Sequence, residues 1–568
     1  MRVTASSLYP FGMSFPAIES KLAAQQESGF APKLFSQLRE GYNFSNLRND
    51  AIAGLTVAIV ALPLSMAIAI ASHVSPDKGL FTSIIGGFVI SALGGSRFQI
   101  GGPAGAFIVV VASIIDRQGF DGLLIAILMA GLIIFAVGAL KLGSYIKYVP
   151  HPVTVGFTSG IAIIIFASQI KELLGLKLAA AEPGALVPKL NALWQALPTF
   201  NTNAFGVALA TIIIIVVTRK LKPRWPGFLI SVALASLAAY ALHLDADTVA
   251  SRFGGIPRSL PAPHIPVFVF SKALELLPDA LTIALLGGIE SLLSAVVADS
   301  MTGRRHRSNT ELVAQGIANI ACALFGGIVA TGNIARTATN VRAGATGPIS
   351  GMLHSIFMLL FMVVAAPLAG YIPLAALAGL LAVVCWNMAE KAEFKSLLTS
   401  SRGEAAVLLA TFFLTIFKDL TTGIVVGVTL GSLVFMHRMA GAVTVHRAEA
   451  EDDPDQDIIV QHVSGAFFFG AASTVAATLE RIDGRPKGFI LDFSNVPFVD
   501  YSAAHALHGF LNSAQKLNAA IYLTGASLHV RRELIRFGIK KPLVSYGHSI
   551  ADCKYAIRHG LEIDEVHE

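Results

Sequence analysis

The sequence predicts an α-helical polytopic membrane protein, with fourteen apolar segments in a 7+7 inverted repeat, followed by a small cytoplasmic α/β domain. Three observations lead there. First, 54% of the 568 residues are apolar and 14% are charged, whereas soluble proteins carry roughly a quarter charged residues, which argues against a soluble enzyme and excludes disorder over most of the chain. Second, residues 441–568 hold 28 of the 78 charged residues, a density of 22% against 11% in residues 1–440. A membrane body with a soluble tail accounts for that split. Third, two short segments rich in glycine and small residues, opening at Gly101 and Ala330, stand third in the first seven and third in the second seven.

Residues 1–48, with Pro10, Pro16 and Pro32 but no continuous apolar core, read as a cytoplasmic arm. The transmembrane transport body spans 49–440, with repeats at about 49–243 and 277–438. A helix needs about 20 apolar residues to cross the hydrocarbon core. Segments of this kind fall at 51–72, 79–95, 101–115, 121–140, 152–170, 204–218, 226–243, 279–298, 311–327, 333–345, 349–370, 371–389, 404–417 and 420–436. With the N-terminus inside, Lys141 and Lys147, the run Arg219, Lys220, Lys222 and Arg224, the run Arg304, Arg305 and Arg307, and Lys391, Lys395 and Arg402 all fall in cytoplasmic loops. The even count returns the tail to the cytoplasm. The +6 net charge divides into about +10 on the body and −4 on the tail, which loop basicity explains without nucleic acid. Cys322, Cys385 and Cys553 lie far apart with no CxxC spacing, so neither a disulfide framework nor a zinc site is expected.

Paired interrupted segments in two halves are the mark of half-helices meeting near the membrane midplane. Here they are Gly101-Gly102-Pro103-Ala104-Gly105-Ala106-Phe107 and Ala330-Thr331-Gly332-Asn333-Ile334-Ala335-Arg336-Thr337. Each half-helix N-terminus exposes unpaired N–H groups and a partial positive charge, which suits an anion. Glu290 lies about twelve residues into its segment, where a buried carboxylate must pair, bind a cation or hold a proton. Ser294, at i+4, shares its helix face. Arg336 is the matching basic residue. Two readings stand: a structural Glu290–Arg336 ion pair, or Arg336 drawing in the anion while Glu290 takes the coupling ion. Asp50 opens the first segment, where it caps the helix or serves as a further coupling residue.

An acidic linker, 441–455, leads to the tail domain, 456–568. Strand-like runs at Ile458–Val460, Ala466–Phe469, Gly488–Phe493 and Ala520–Leu523 alternate with helix-like runs at 471–482, 502–516, 527–537 and 549–559. No phosphate-binding loop signature occurs. Ser502, at a strand-to-helix turn, is a helix cap or a phosphoacceptor.

The runs Pro76-Asp77-Lys78-Gly79-Leu80-Phe81, Gly94-Gly95-Ser96-Arg97-Phe98-Gln99-Ile100-Gly101-Gly102-Pro103 and Glu311-Leu312-Val313-Ala314-Gln315-Gly316-Ile317-Ala318-Asn319 resemble the SulP family of anion transporters, and the tail resembles the STAS domain that follows the membrane body there. The runs Phe157–Ile161, Gln169–Leu176, Ile289–Leu293 and Asn340–Thr346 are similar to bacterial C4-dicarboxylate carriers of that family. The resemblance implies core and gate domains with the anion between the third and tenth helices, and elevator-like, proton-coupled uptake of succinate, fumarate or aspartate. Sulfate or bicarbonate symport is the alternative, and an anion channel or voltage-responsive motor is a second class. Carried over, the binding residues are Ile68, Ala104, Gly105, Ala106, Phe107, Ile334, Ala335, Arg336 and Thr337, with Glu290 and Ser294 at the coupling-ion position. Sodium belongs at Glu290 and Ser294 only if the coupling ion is sodium, and glutamate there suits a proton. No cofactor, resident metal or enzymatic activity is implied. A homodimer, a bacterial inner membrane location and a cytoplasmic protein partner at the tail domain are.

Overall fold

The structure is a computed structural model. It describes residues 30–144, 149–180, 182–222, 225–266, 270–447, 457–469, 486–516 and 519–561. The chain divides into two compact units, Met1–Val428 and Thr429–Glu568. Lys147, Arg224 and the expected helix at 471–482 lie outside the described residues.

In the first unit a short helix α1 (Lys33–Arg39) precedes the first long one, α2 (Phe44–Ala71). The second segment is α3 (Pro76–Phe81), a π turn (Thr82–Gly86) and α4 (Gly87–Leu93). Strand β1 (Gly101–Gly102) and a 3-10 turn (Gly105–Phe107) lead into α5 (Ile108–Ala139), which carries the third and fourth segments on either side of non-helical Gly119 at φ 71°. The first half ends with α6 (His151–Leu174), a short α7 (Leu186–Ala196), α8 (Thr202–Leu221) and α9 (Gly227–Ala241).

The second half follows the same plan after the small α10 (Val249–Phe253). It runs through α11 (Phe270–Thr302), α12 (Ser308–Leu324), strand β2 (Thr331–Gly332), the half-helix α13 (Ile334–Arg342) and α14 (Ile349–Ala369). It closes with α15 (Leu374–Met388), a surface helix α16 (Lys391–Ser400) and α17 (Arg402–Phe417), and the boundary between the units falls within α18 (Leu420–Gly441). Each of the fourteen expected segments is thus helical. Among the described residues eight helices are long and apolar enough to cross a membrane.

Packing sorts these helices into two groups. In the core, α5 packs on α11 and α12, and α2 and α4 on α14; in the gate, α6 packs on α15 and α17, and α8 on α9 and α15. Lipid offers apolar surface as readily as a neighbouring helix does, so association depends on close approach by small residues. A Cβ at Gly138 of α5 would lie 2.8 Å from the Val313 amide nitrogen of α12, and one at Gly156 of α6 only 2.8 Å from the Leu408 carbonyl of α17. Both contacts exist because these positions have no side chain.

The second unit is a five-stranded sheet in the order β3 (Thr444–Arg447), β4 (Ile458–Ser464), β5 (Gly488–Asn495), β6 (Ala520–Thr524), β7 (Ser545–Gly547). Only β3 runs antiparallel to its neighbour. Helices α19 (Tyr501–Gln515), α20 (Leu528–Arg536) and α21 (Ile550–His559) cover it, around a core that includes Phe467, Phe489, Phe493, Leu507 and Leu511. Strand β3 lies inside the segment read as a linker. It was illegible because a four-residue edge strand with one polar face carries almost no alternation signal. The expected strand Ala466–Phe469 reduces to one bridge, Phe467 to Val499.

Candidate functional site

The centre of the first unit is organised by four residues of strand. Gly101 pairs with Gly332 and Gly102 with Thr331, antiparallel. Each strand runs directly into a helix start, so the pairing brings the N-termini of the third and tenth segments together. Glycine is required at Gly102, where a Cβ would collide with the Arg336 guanidinium, and at Gly332, where it would collide with the Gln99 side chain.

Both helix starts leave donors uncommitted. In an α-helix the first four N–H groups have no helical acceptor. The Asn333 side chain takes the Arg336 N–H at 3.1 Å, and the Asn333 N–H itself reaches the Ile100 carbonyl. Ile334 and Ala335, in the first turn, are exposed. Opposite them, Ala104, Ala106 and Phe107 are buried and Gly105 is half-buried. Ile68 of α2 is also buried. Met388, at the end of gate helix α15, covers Gly105, its sulfur 3.1 Å from where a Cβ would stand.

Arg336 is 2% exposed, and its guanidinium faces the core. Nη2 donates to Ser65 Oγ at 3.0 Å and Nη1 to Ser83 Oγ at 3.1 Å; the two hydroxyls are 2.8 Å apart, and Ser65 also donates to the Ala61 carbonyl. The Pro103 carbonyl accepts from Nη2 at 3.5 Å. Ser83 stands in the π turn, a departure from α geometry that often marks functional positions. The expected Glu290–Arg336 ion pair is not formed. Among the described residues Glu290 has no ion-pair partner, and its Oε2 is buried without a hydrogen bond. Hydroxyls and a carbonyl take up both terminal nitrogens of the cation, while its Nε is buried without a hydrogen bond.

Ser294 ties α11 to α13 through Thr337, 3.0 Å away, and the Thr337 hydroxyl accepts the Ile100 N–H. One turn earlier, Ser291 accepts from Gln99 at 2.7 Å and donates to Gln315 at 3.0 Å. Asn319 holds both backbone groups of Ala330, at 2.9 and 3.0 Å. Ser65, Ser83, Gln99, Ser291, Gln315 and Asn319 thus build the bed of the site, and sequence reasoning missed them as functional residues. For the three serines the signal was polarity inside apolar segments, which single serines share with ordinary helix packing; Gln99, Gln315 and Asn319 lie in the runs that carry the family resemblance, which assigned them no role.

Two expected caps are corrected. Helix α2 begins at Phe44 and is capped by Asn43, so Asp50 lies nearly two turns inside. Fully buried, it accepts from Tyr42 at 2.8 Å, from the Thr346 N–H at 2.6 Å and hydroxyl at 3.0 Å, and from the Gly347 N–H at 3.3 Å. It pins the turn between the tenth and eleventh segments. In the second unit the cap of α19 is Asp500, whose carboxylate accepts the Ala503 and Phe469 N–H groups at 2.8 and 2.9 Å. Ser502 is exposed in the first turn and is not the cap.

Residues 47–411 match the sulfate permease family, and residues 449–548 match the STAS domain. The chain is 41% identical over 511 residues to the "Putative sulfate transporter YvdB" of Bacillus subtilis, covering 89% of this chain and 96% of that one. It is 31% identical to the bicarbonate transporter BicA of Synechocystis, covering 88% and 92%. The solved transmembrane domain of a cyanobacterial BicA superposes with TM-score 0.61 at 34% identity, covering 67% of this chain and 98% of that one. SLC26A9 superposes with TM-score 0.84 over 98% of both chains at 18% identity, a likeness of fold.

Proposed function

The chain belongs to the sulfate permease family, and from that footing we propose that this multi-pass membrane protein is a proton-coupled carrier of a divalent anion, sulfate or a C4-dicarboxylate. The observation that carries the reading is the β1–β2 pairing, which sets two half-helix N-termini together beside buried Arg336, while among the described residues Glu290 has no ion-pair partner. Each helix end is equivalent to roughly +0.5 charge, so with Arg336 the site presents about +2. A dianion balances that when Glu290 carries a proton, and the proton removes the cost of a buried, unpartnered carboxylate oxygen. The anion rests on the first-turn N–H groups around Gly105 and Ala335. Core and gate then exchange access by elevator-like sliding, with Met388 on the gate side of the contact. A bacterial inner membrane, cytoplasmic termini and a homodimer complete the reading.

A second reading is favoured by the similarity to BicA: bicarbonate, a monoanion, balances the same site when Glu290 is ionised, and a sodium ion shared by Glu290 and Ser294 would leave the loaded site with about one net positive charge. Uptake by purified protein in liposomes separates the two. Labelled sulfate and succinate should accumulate under an inward proton gradient, and Glu290→Gln should abolish the proton dependence while the protein still inserts. Sodium-driven bicarbonate uptake with no response of sulfate or succinate to pH would overturn the first reading.

A further inference from the structure

Helix α7 connects two membrane-spanning helices, and its three faces differ. Lys189, Leu193 and Ala196 are buried. Leu193 and Ala196 pack with Leu176, and Lys189 Nζ meets Glu182 at 2.9 Å and Ser168 of α6 at 2.6 Å. These contacts fix the helix on the end of α6. At about 100° per residue, Val187, Leu190 and Trp194, together with Leu197 of the 3-10 turn that directly follows α7 (Leu197–Thr199), gather on a second face, within roughly a quarter-turn of one another. All four are exposed, Trp194 at 74% and Val187 at 62%. Pro188, Asn191 and Gln195 make up a third face, exposed and without large apolar groups.

A helix held on one side, apolar on the second and polar on the third suits a boundary between hydrocarbon and water. The apolar face also continues into a lipid-facing one. Phe200 meets Phe205 at 5.7 Å between ring centroids. Phe205 begins an exposed stripe along α8 that continues through Leu209, Ile213 and Val216, a row that water would not tolerate on a spanning helix. Trp194 at the junction matches the preference of tryptophan for the headgroup level.

We propose that α7 lies in the membrane–water interface and seats Val187, Leu190, Trp194 and Leu197 on the phospholipid of the adjoining leaflet. It thereby anchors α6 and α8, two gate helices, to the bilayer surface. The occupant is lipid because the stripe is continuous with that of α8, and this holds whichever anion the protein carries.

The test uses the full chain in phosphatidylcholine vesicles. Of the three tryptophans, Trp225 and Trp386 are replaced by Phe, leaving Trp194 as the reporter. Acyl chains brominated close to the headgroup should remove most of the Trp194 emission, and aqueous iodide should remove little. In parallel, Trp194→Cys carrying an environment-sensitive dye should show a blue-shifted emission that reverts when vesicles are exchanged for aqueous buffer with short-chain detergent. Full quenching by iodide with none by bromolipid would overturn the proposal. So would efficient disulfide cross-linking between two copies of the undyed Trp194→Cys variant in place of lipid quenching, which would assign the stripe to a second copy of the chain.

Discussion

Arg336 holds its guanidinium against two serine hydroxyls, and this choice of partner shapes the chemistry of the site. A buried carboxylate partner would neutralise the cation; Ser65 and Ser83 orient it and leave its charge available to an anion. Both terminal nitrogens are used, in a fork that lysine cannot reproduce. Hydrogen bonds to a charged group are worth about 1.5–3 kcal/mol each, so Arg336→Lys should weaken anion binding by about tenfold or more. Titration of purified protein with sulfate, followed by thermal shift, checks this; wild-type affinity would remove Arg336 from the site. Asp50 illustrates a different lesson. An acid near a helix start invites a capping interpretation, but its four acceptor contacts reach back to Tyr42 and across 296 residues to Thr346, so its role belongs to the tertiary structure.

At the scale of the element, α1 braces the helix ends of the core. The Lys33 N–H reaches the Gly94 carbonyl at 2.9 Å, Arg307 donates to the Ala31 carbonyl at 2.6 Å, and Glu40 pairs with Arg97 and, at 3.7 Å, with Arg304. The hydrogen bond from Arg97 holds the Glu40 carboxyl below its ordinary range. A group with a depressed folded-state value stabilises the fold above its unfolded value and loses that contribution as pH falls. Acidification below about 4.5 should therefore loosen α1, and hydrogen exchange across Lys33–Arg39 reports it. Glu40→Gln should show the faster exchange at neutral pH with no further step on acidification. Glu40 is half exposed, so the effect on stability should stay within about 1 kcal/mol. Equal exchange in variant and wild type at neutral pH would show that backbone contacts alone hold the arm.

For the whole molecule, the two units carry separate cores. The β-sheet domain closes its own around Phe467, Phe489 and Phe493, so deleting residues 444–568 should leave the unfolding temperature of the helical unit in detergent nearly unchanged. A collapse of that transition would mean that the helical unit depends on the tail for its fold. The fourteen segments, the charge-rich tail and the paired half-helices were legible because membrane spanning imposes length and polarity rules on the sequence itself, since no water satisfies a backbone in hydrocarbon. Glu290 and Arg336 were legible for the same reason: charge is rare enough in a span to stand out. Their relation was not legible. Two opposite charges in matching segments suggest a pair, and only the tertiary structure turned Arg336 toward Ser65 and Ser83 instead of Glu290. The two-residue strands, the π turn and the serine, glutamine and asparagine bed of the site were likewise beyond sequence reading. Each depends on contacts between residues dozens to hundreds of positions apart, such as Gly101 with Gly332 and Ser83 with Arg336. The sequence by itself determined which segments enter the membrane and which charges go with them. The tertiary structure decided which of those charges are satisfied, because hydrogen-bond partners are set by packing and leave no periodic trace along the chain.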